Sequence, residues 1–369
     1  MPARRTRVLL DARELAGDSA RSGIGTYIRN LLAGLAAIDE VAVEALVIAG
    51  TSLPDGVRPV PVRRFTSSGR RAVIEHATLV PLDVALRSRA DVFHNPLFHA
   101  PAAIRMPWVQ TLFDVIPLVD DDPALAVLRK RWARFGPRYR KADAVVAISR
   151  HAADEGIRAL GLDTRRVEVV PLGVSTAFTP AGAATDRGEP YLLVVSQFSR
   201  RKGFAEAFAV IGALAEAGYP HRLAVAGWVP DDVRPELDAL LAAAPRPDRI
   251  DVLGYVDDLP ALYRGAALVL VPSRYEGFGL PALEAMASGA PVVAFANSSL
   301  VEVVGNGGVL VPDGDVAAMV LAARELLDDE AHRTELAEAG RAQAAPFTWD
   351  RCARATAEVY ASVYSATVR

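Results

Sequence analysis

Cysteine is nearly absent from this 369-residue chain, which holds Cys352 alone. A single thiol excludes an internal disulfide framework and is what a reducing compartment leads one to expect. Long apolar runs are missing too. No stretch approaches the ~20 residues that a membrane span requires, and Val8-Leu9-Leu10 is interrupted by Asp11 before it could act as a secretion signal. A cytoplasmic protein is therefore expected. Net charge is small, at −3, and no recognised nucleic-acid-binding motif appears, so nucleic acid is not an expected partner.

What is present describes a globular enzyme-sized chain. Hydrophobic residues make up 51% and charged ones 23%, enough apolar content to bury cores and too little charge for disorder. The length accommodates two domains. Charge is shared unevenly: residues 1–180 hold 25 Lys+Arg against 19 Asp+Glu, or +6, and residues 181–369 hold 16 against 25, or −9. The first half is thus the side suited to an acidic acceptor or an anionic membrane. Its cations gather in two places. Arg63, Arg64, Arg70 and Arg71 surround Phe65, and RKRWARFGPRYRK (129–141) sets seven cations among Trp132, Phe135 and Tyr139 with no acid. Two readings stand: aromatics among cations suit the headgroup layer of an anionic membrane at the inner face, or the aromatics pack inward beneath a solvated basic face.

Apolar runs of four to eight residues alternate with helical patterns, which predicts parallel sheets of α/β type. Strands are expected at 7–11, 41–49, 109–116, 145–149 and 167–172 in the first half, and at 191–195, 223–227 and 250–254 in the second. Thr179 to Pro190 has linker composition, which places the domain boundary there. His94 and His99, in DVFHNPLFHAP, are either acceptor contacts or structural. Asp120-Asp121-Asp122 precedes Pro123 and a helical pattern, so it reads as a cap rather than a metal motif. In Ser22-Gly23-Ile24-Gly25-Thr26-Tyr27, a glycine loop follows the first strand and leads into a helix over 28–37.

The most informative stretch is VLVPSRYEGFGLPALEAMASGAPVVAF (269–295). A strand (268–271) turns through Pro272 to Glu276 and passes Gly277-Phe278-Gly279. A helix starting at Pro281 is predicted over 282–288, with Gly289 as its cap, and a further strand runs over 291–295. Glycines admit close backbone approach, and the N–H groups from Phe278 through Gly279 and Leu280 to Ala282 form a site for a diphosphate. Glu276 precedes that anion site, and Glu284 is expected in the first helical turn, where the helix dipole favours a carboxylate.

SRYEGFGLPALEAMASGAPVV resembles the E-x7-E region of the retaining GT-B glycosyltransferases of family 4, with Glu276 and Glu284 as its glutamates. The resemblance runs from the Ser22-Gly25 loop to Trp349. It implies an α/β GT-B fold of two facing, Rossmann-like, doubly wound domains: an acceptor-binding domain at 1–180, a nucleotide-sugar-binding domain at 181–345, and a C-terminal helix, 346–369, packing back on the first. It further implies a retaining hexosyltransferase of polysaccharide biosynthesis type. Such an enzyme moves a hexose, mannose favoured, from GDP-mannose or a UDP-sugar to a hydroxyl of a glycan, a lipid-linked acceptor or a small molecule.

By the same resemblance Lys202 binds the donor diphosphate; Ser196-Gln197 replace the family's Gly-Arg, and Arg200 or Arg201 is the candidate to compensate, with Arg201 counted among the donor-binding residues. Gly23 and Gly25 line the donor phosphates, and backbone at Tyr255 and Val256 reads the base. Glu276 orients the sugar and Glu284 holds ribose. Asp114 belongs to a pair that is His-Asp in many members and Phe113-Asp114 here; with Glu276 and Lys202 it is an expected catalytic residue. Neither cofactor nor metal is required, because protein cations and amides neutralise the leaving diphosphate. The alternatives are a nucleotide-sugar epimerase of the same fold and a non-catalytic sugar-nucleotide-binding protein.

Overall fold

A computed structural model describes residues 4–16, 20, 22–62, 89–98 and 106–368; the cluster Arg63, Arg64, Phe65, Arg70 and Arg71, together with His99, lies outside them. The chain divides into two compact units, Met1–Gly173 with Thr348–Arg369, and Val174–Phe347. The first boundary thus precedes the proline- and glycine-rich stretch expected to be a linker. That stretch is hydrogen-bonded into the second unit: Thr185 N–H donates to Ala261 O at 2.9 Å, and Arg264 donates to Ala183 O at 2.8 Å and to Thr179 O at 3.2 Å.

In the first unit the strands are β1 (Thr6–Asp11), β2 (Val41–Ile48), β3 (Arg58–Val62), β4 (Val92–Asn95), β5 (Trp108–Leu112), β6 (Ala144–Ala147) and β7 (Val167–Val169). They form one sheet in the order β3-β2-β1-β4-β5-β6-β7, with every pairing parallel. The helices are α1 (Gly23–Ala36), α2 (Ile116–Val119), α3 (Ala126–Phe135) and α4 (Arg150–Leu160). Strand β3 is not among the expected strands. Pro59 and Pro61 pair with Ala45 and Val47, and an edge strand tolerates such prolines because alternate N–H groups face outward. Strand β5 ends before the predicted Ile116, because the Asp114 carboxylate accepts the Ile116 N–H at 3.0 Å and starts α2 instead.

The second unit contains β8 (Tyr191–Val195), β9 (Arg222–Ala226), β10 (Ile250–Gly254), β11 (Leu268–Val271), β12 (Val292–Phe295) and β13 (Val309–Val311), in the order β10-β9-β8-β11-β12-β13. These pairings are parallel as well. Its helices are α5 (Phe204–Glu216), α6 (Arg234–Ala242), α7 (Leu259–Gly265), α8 (Leu280–Ala287), α9 (Leu300–Val304), α10 (Val316–Asp328) and α11 (Glu330–Ala344). Strands β11 and β12 read LVLV and VVAF and are buried throughout, as expected of parallel strands covered on both faces.

The chain then returns to the first unit as α12 (Trp349–Val368). There the Tyr360 hydroxyl lies 2.5 Å from His94 Nδ1, and the Trp349 ring lies 6.4 Å from that of Tyr27. Each sheet is therefore a doubly wound Rossmann-type sheet whose strand order reverses next to its first strand, at β1/β4 and at β8/β11. Ligands of such sheets bind beyond the strands' carboxyl ends at that reversal.

Candidate active site

At the β8/β11 reversal two loops leave the sheet side by side. After β8 a short 3-10 turn, Arg200–Lys202, leads through Gly203 into α5; after β11, Pro272 to Gly279 lead into α8. Gly203 has φ 69°, and a Cβ there would lie 1.9 Å from Pro272 O. Glycine thus lets the two loops touch, and Arg274 N–H donates to Arg201 O across the contact at 2.8 Å. Below it Arg274 pairs with Glu206 of α5 through Nε, at 3.0 Å, and Nη2, at 2.5 Å.

This contact brings Lys202 Nζ to 2.5 Å from Glu276 Oε1, with side chains only 12% and 9% exposed. Burial works to raise the Glu276 carboxyl. The Lys202 ammonium and the Arg201 guanidinium outweigh it and hold the group below its ordinary value. Backbone groups fix the glutamate from behind: its N–H donates to Ser298 Oγ and its C=O accepts from Ser299 Oγ, both at 2.9 Å. Ser298 has φ 43°, a conformation uncommon for a residue with a side chain and one that clusters at functional sites. Asn297 secures that turn, donating to Ser273 O at 2.9 Å and to Asp313 at 2.6 Å. Sequence reasoning missed that Ser298 and Ser299 grip Glu276. A positive φ at serine leaves no trace in a sequence.

The two arginines of the turn part company. Arg200 points to Glu236 of α6 at 2.6 Å, while Arg201 donates to Tyr275 O at 3.3 Å and acts on Glu276. Beside them α8 begins on Gly279, whose φ of 98° requires glycine and where a Cβ would meet Leu300 Cδ2 at 2.8 Å. Among the described residues no acceptor pairs with the N–H groups of Phe278, Gly279 or Leu280. The Ala282 N–H, counted with them from the sequence, is instead bonded to Gly279 O at 3.1 Å. Phe278 itself turns inward against Phe347, 5.9 Å between rings.

Glu284 departs from expectation. The helix starts at Leu280 with Pro281 second, so Glu284 lies past the first turn and outside reach of the helix-terminal N–H groups. It is half-buried, accepts from Tyr263 OH at 3.1 Å, and is pushed up to about 7 by burial, which the phenol only partly offsets. Tyr263, on α7, was absent from the sequence reading. Tyr255 and Val256 follow β10 beyond the same sheet edge; Tyr255 is exposed and Val256 half-buried.

The remaining expected residues belong to the first unit. Gly23 and Gly25 form the first turn of α1 rather than a loop before it. Asp114 follows β5 and accepts the Ile116 N–H in the turn before α2, and Phe113 lies edge-on to Tyr27 at 5.2 Å. His94 is a structural residue: it is fully buried, with Nε2 2.7 Å from Thr111 Oγ1 as well as Nδ1 on Tyr360, and burial lowers it to about 3. In the basic stretch Trp132, Phe135 and Tyr139 pack inward, so its aromatics are not offered to a membrane. The Asp120 carboxylate accepts the Asp122 N–H at 2.9 Å as a turn, and no Asp of the three caps α3 by its side chain. Among the described residues no three His, Cys, Asp or Glu side chains group as metal ligands, and no helix is long and apolar enough to cross a membrane.

Comparison with known proteins agrees with this architecture along most of the chain. The family described as Glycosyltransferase Family 4 matches residues 21–178, and Glycosyl transferases group 1 matches residues 177–343. O-antigen chain mannosyltransferase B of Escherichia coli is 28% identical over 92% of this chain and 96% of its own length. Sucrose-phosphate synthase from Thermosynechococcus elongatus superposes with a TM-score of 0.81 at 22% identity, covering 98% of this chain and all of its own. Anabaena HepE in complex with UDP and glucose gives 0.71 at 20% identity, covering 97% and 100%. The fold is GT-B, and the two family models, which together span residues 21–343, make the chain a glycosyltransferase. Within that class, the chain belongs to family 4.

Proposed function

We propose that this glycosyltransferase moves a hexose, mannose in the first instance, from a nucleoside-diphosphate sugar to a hydroxyl of a saccharide or lipid-linked acceptor, with retention at the anomeric carbon. The observation that carries this reading is the Lys202–Glu276 pair at the β8/β11 reversal, next to three N–H groups at the start of α8. The mannosyltransferase relative supports mannose, and the HepE complex supports a nucleotide as the ligand of this architecture.

In this reading the donor diphosphate lies against the N–H groups of Phe278, Gly279 and Leu280, between Lys202 and Arg201. The bond from the anomeric carbon to the phosphate oxygen breaks. A bond from that carbon to the acceptor oxygen forms on the same face, and the acceptor's proton passes to the leaving diphosphate. Fixed cations and amides stabilise the charge that develops on the leaving group, a contribution of roughly 3 kcal/mol for a single well-placed donor. No metal is assigned, because these groups supply the neutralisation.

Glu276 exchanges its Lys202 partner for sugar hydroxyls when the donor enters. Glu284 holds ribose, steadied by Tyr263. Backbone at Tyr255 and Val256 meets the base. Gly23 and Gly25, at the start of α1, keep their assignment as donor-binding residues, and Asp114 its assignment as a catalytic residue.

Incubating the protein with GDP-mannose and UDP-glucose, with and without saccharide acceptors, tests the assignment by NMR of the product's anomeric proton. Acceptor-dependent product with the donor's anomeric configuration is expected. Inverted product, or an epimer formed without acceptor, contradicts it.

A further inference from the structure

We infer that Asp313, an exposed carboxylate on the loop after β13, is a positioning residue for Glu276 and acts on it through Asn297 and Ser298. The inference rests on the reading of Glu276 as the group that orients the donor sugar. Strands β11, β12 and β13 lie side by side in that order, and Glu276, Asn297 and Asp313 each stand on the loop that leaves one of them. The Asn297 amide joins the three loops. Its Nδ2 donates to Asp313 Oδ1 at 2.6 Å and to Ser273 O at 2.9 Å, so both amide protons are engaged. Its Oδ1 accepts from Ser298 Oγ at 2.9 Å. With its one proton given to Asn297, the Ser298 hydroxyl can only accept from a further partner, and that partner is the Glu276 N–H, also at 2.9 Å.

Each link sets the polarity of the next. An amide turned by 180° would put Oδ1 against the Asp313 carboxylate and the Ser273 carbonyl, so those two acceptors admit one orientation only. Without Asp313 the amide keeps Ser273 O alone, and the acceptor that orients the Ser298 hydroxyl is no longer held. The Ser298 backbone shows that the hydroxyl is retained at a cost. Its φ of 43° suits glycine, which carries no Cβ, better than serine, and strain of this kind persists where it serves a site. Asp313 has a second route to the same loop, since its charge adds to that of Glu206 in raising the Arg274 guanidinium. The two routes separate by experiment.

Transfer kinetics at saturating GDP-mannose or UDP-glucose, whichever the parent uses, provide the test, with calorimetry of GDP and UDP binding as the second readout. Ser298→Gly removes the hydroxyl and suits the backbone; it should lower kcat by roughly 10²-fold, the scale of a misplaced reacting group. Asp313→Ala should lower it about tenfold, and Asp313→Asn, which keeps an acceptor oxygen, should stay close to the parent. Ser298→Gly combined with Asp313→Ala should lose no more than Ser298→Gly alone, because both act through one chain. All variants should bind GDP and UDP as the parent does, a readout that a general loosening of the site would move. Parental kcat in Asp313→Ala or Ser298→Gly overturns the inference, as does a nucleotide affinity that falls with the rate. So do losses that multiply in the double variant, or an Asp313→Asn loss equal to that of Asp313→Ala, either of which places Asp313 on Arg274. Glu276→Ala at the parental rate would refute the reading of the site itself and the inference with it.

Discussion

The two units repeat one sheet order, yet the reversal points of their sheets are furnished differently. At the end of β1 the Asp11 carboxylate is used up by Arg13, through Nε at 2.8 Å and Nη2 at 2.5 Å, and both side chains are buried. Within β4 and β5, Asn95 and Gln110 bond each other at 2.7 Å, and His94, Thr111, Tyr27 and Tyr360 complete a neutral buried chain. At β8/β11 the polar groups instead converge with capacity to spare. A lysine and a glutamate hold each other beside backbone N–H groups that have no acceptor among the described residues. One polar set is paired within itself; the other is where the proposed reading places the donor diphosphate. The fold supplies both positions, and the side chains decide which one has chemistry to do.

Substitutions at the two reversal points should therefore give opposite signatures. Lys202→Ala or Glu276→Ala is expected to lower the transfer rate on the order of 10²–10³-fold, read as initial rates at saturating donor. Arg13→Ala should leave that rate within a few-fold while lowering unfolding free energy by roughly 3 kcal/mol, because it strands the buried Asp11 charge; denaturant titration measures this. Equal activity losses at both places would dissolve the distinction. Next in size, Tyr360→Phe leaves His94 Nδ1 without its buried partner and should cost about 1–2 kcal/mol of stability, again without a change in rate.

The pH responses should also diverge. His94 is neutral in the folded state, lowered from 6.5 to about 3, so the unfolded chain binds the extra proton. Its contribution is complete above pH 6.5 and is lost as pH falls toward 3. Glu284 is raised from 4.5 to about 7, so its contribution is complete below pH 4.5 and is lost as pH rises through 7. Glu284→Gln should thus flatten the decline in Tm between pH 4.5 and 7 and leave the acid limb unchanged. The smallest effect is expected from Tyr263→Phe, a few-fold rise in donor KM that disappears with a 2′-deoxyribonucleotide donor. A rise that persists with the deoxy donor would remove Glu284 from the ribose.

Much of this was legible in the sequence because local constraints carried it. Buried parallel strands are continuous apolar runs, and the Gly-Phe-Gly-Leu-Pro turn between β11 and α8 announces a glycine-started helix. Lys202 and Glu276 stand out by their match to the family's motifs, and the compensating arginine is left between Arg200 and Arg201. What failed to show depends on distant contacts or on one-residue shifts of phase. Arg200 and Arg201 are neighbours of identical chemistry, and only α6, with Glu236, separates their roles. Starting α8 one residue earlier moved Glu284 out of the first turn, away from the helix-terminal amides and against Tyr263, which reverses the expected direction of its proton affinity. Trp132, Phe135 and Tyr139 read equally well as membrane or core residues until Phe98, from another loop, packed on Trp132 and Phe135. The prolines of β3 hid a strand that only its place at the sheet edge permits.

Titration calorimetry with a nucleoside diphosphate, set against the corresponding nucleoside, tests the central claim most directly. GDP and UDP should each be tried on the parent protein and on Lys202→Ala. The account predicts that the parent prefers the diphosphate to the nucleoside, and that Lys202→Ala loses most of this preference while its nucleoside affinity is unchanged. A diphosphate affinity that is the same with and without the Lys202 ammonium would contradict it.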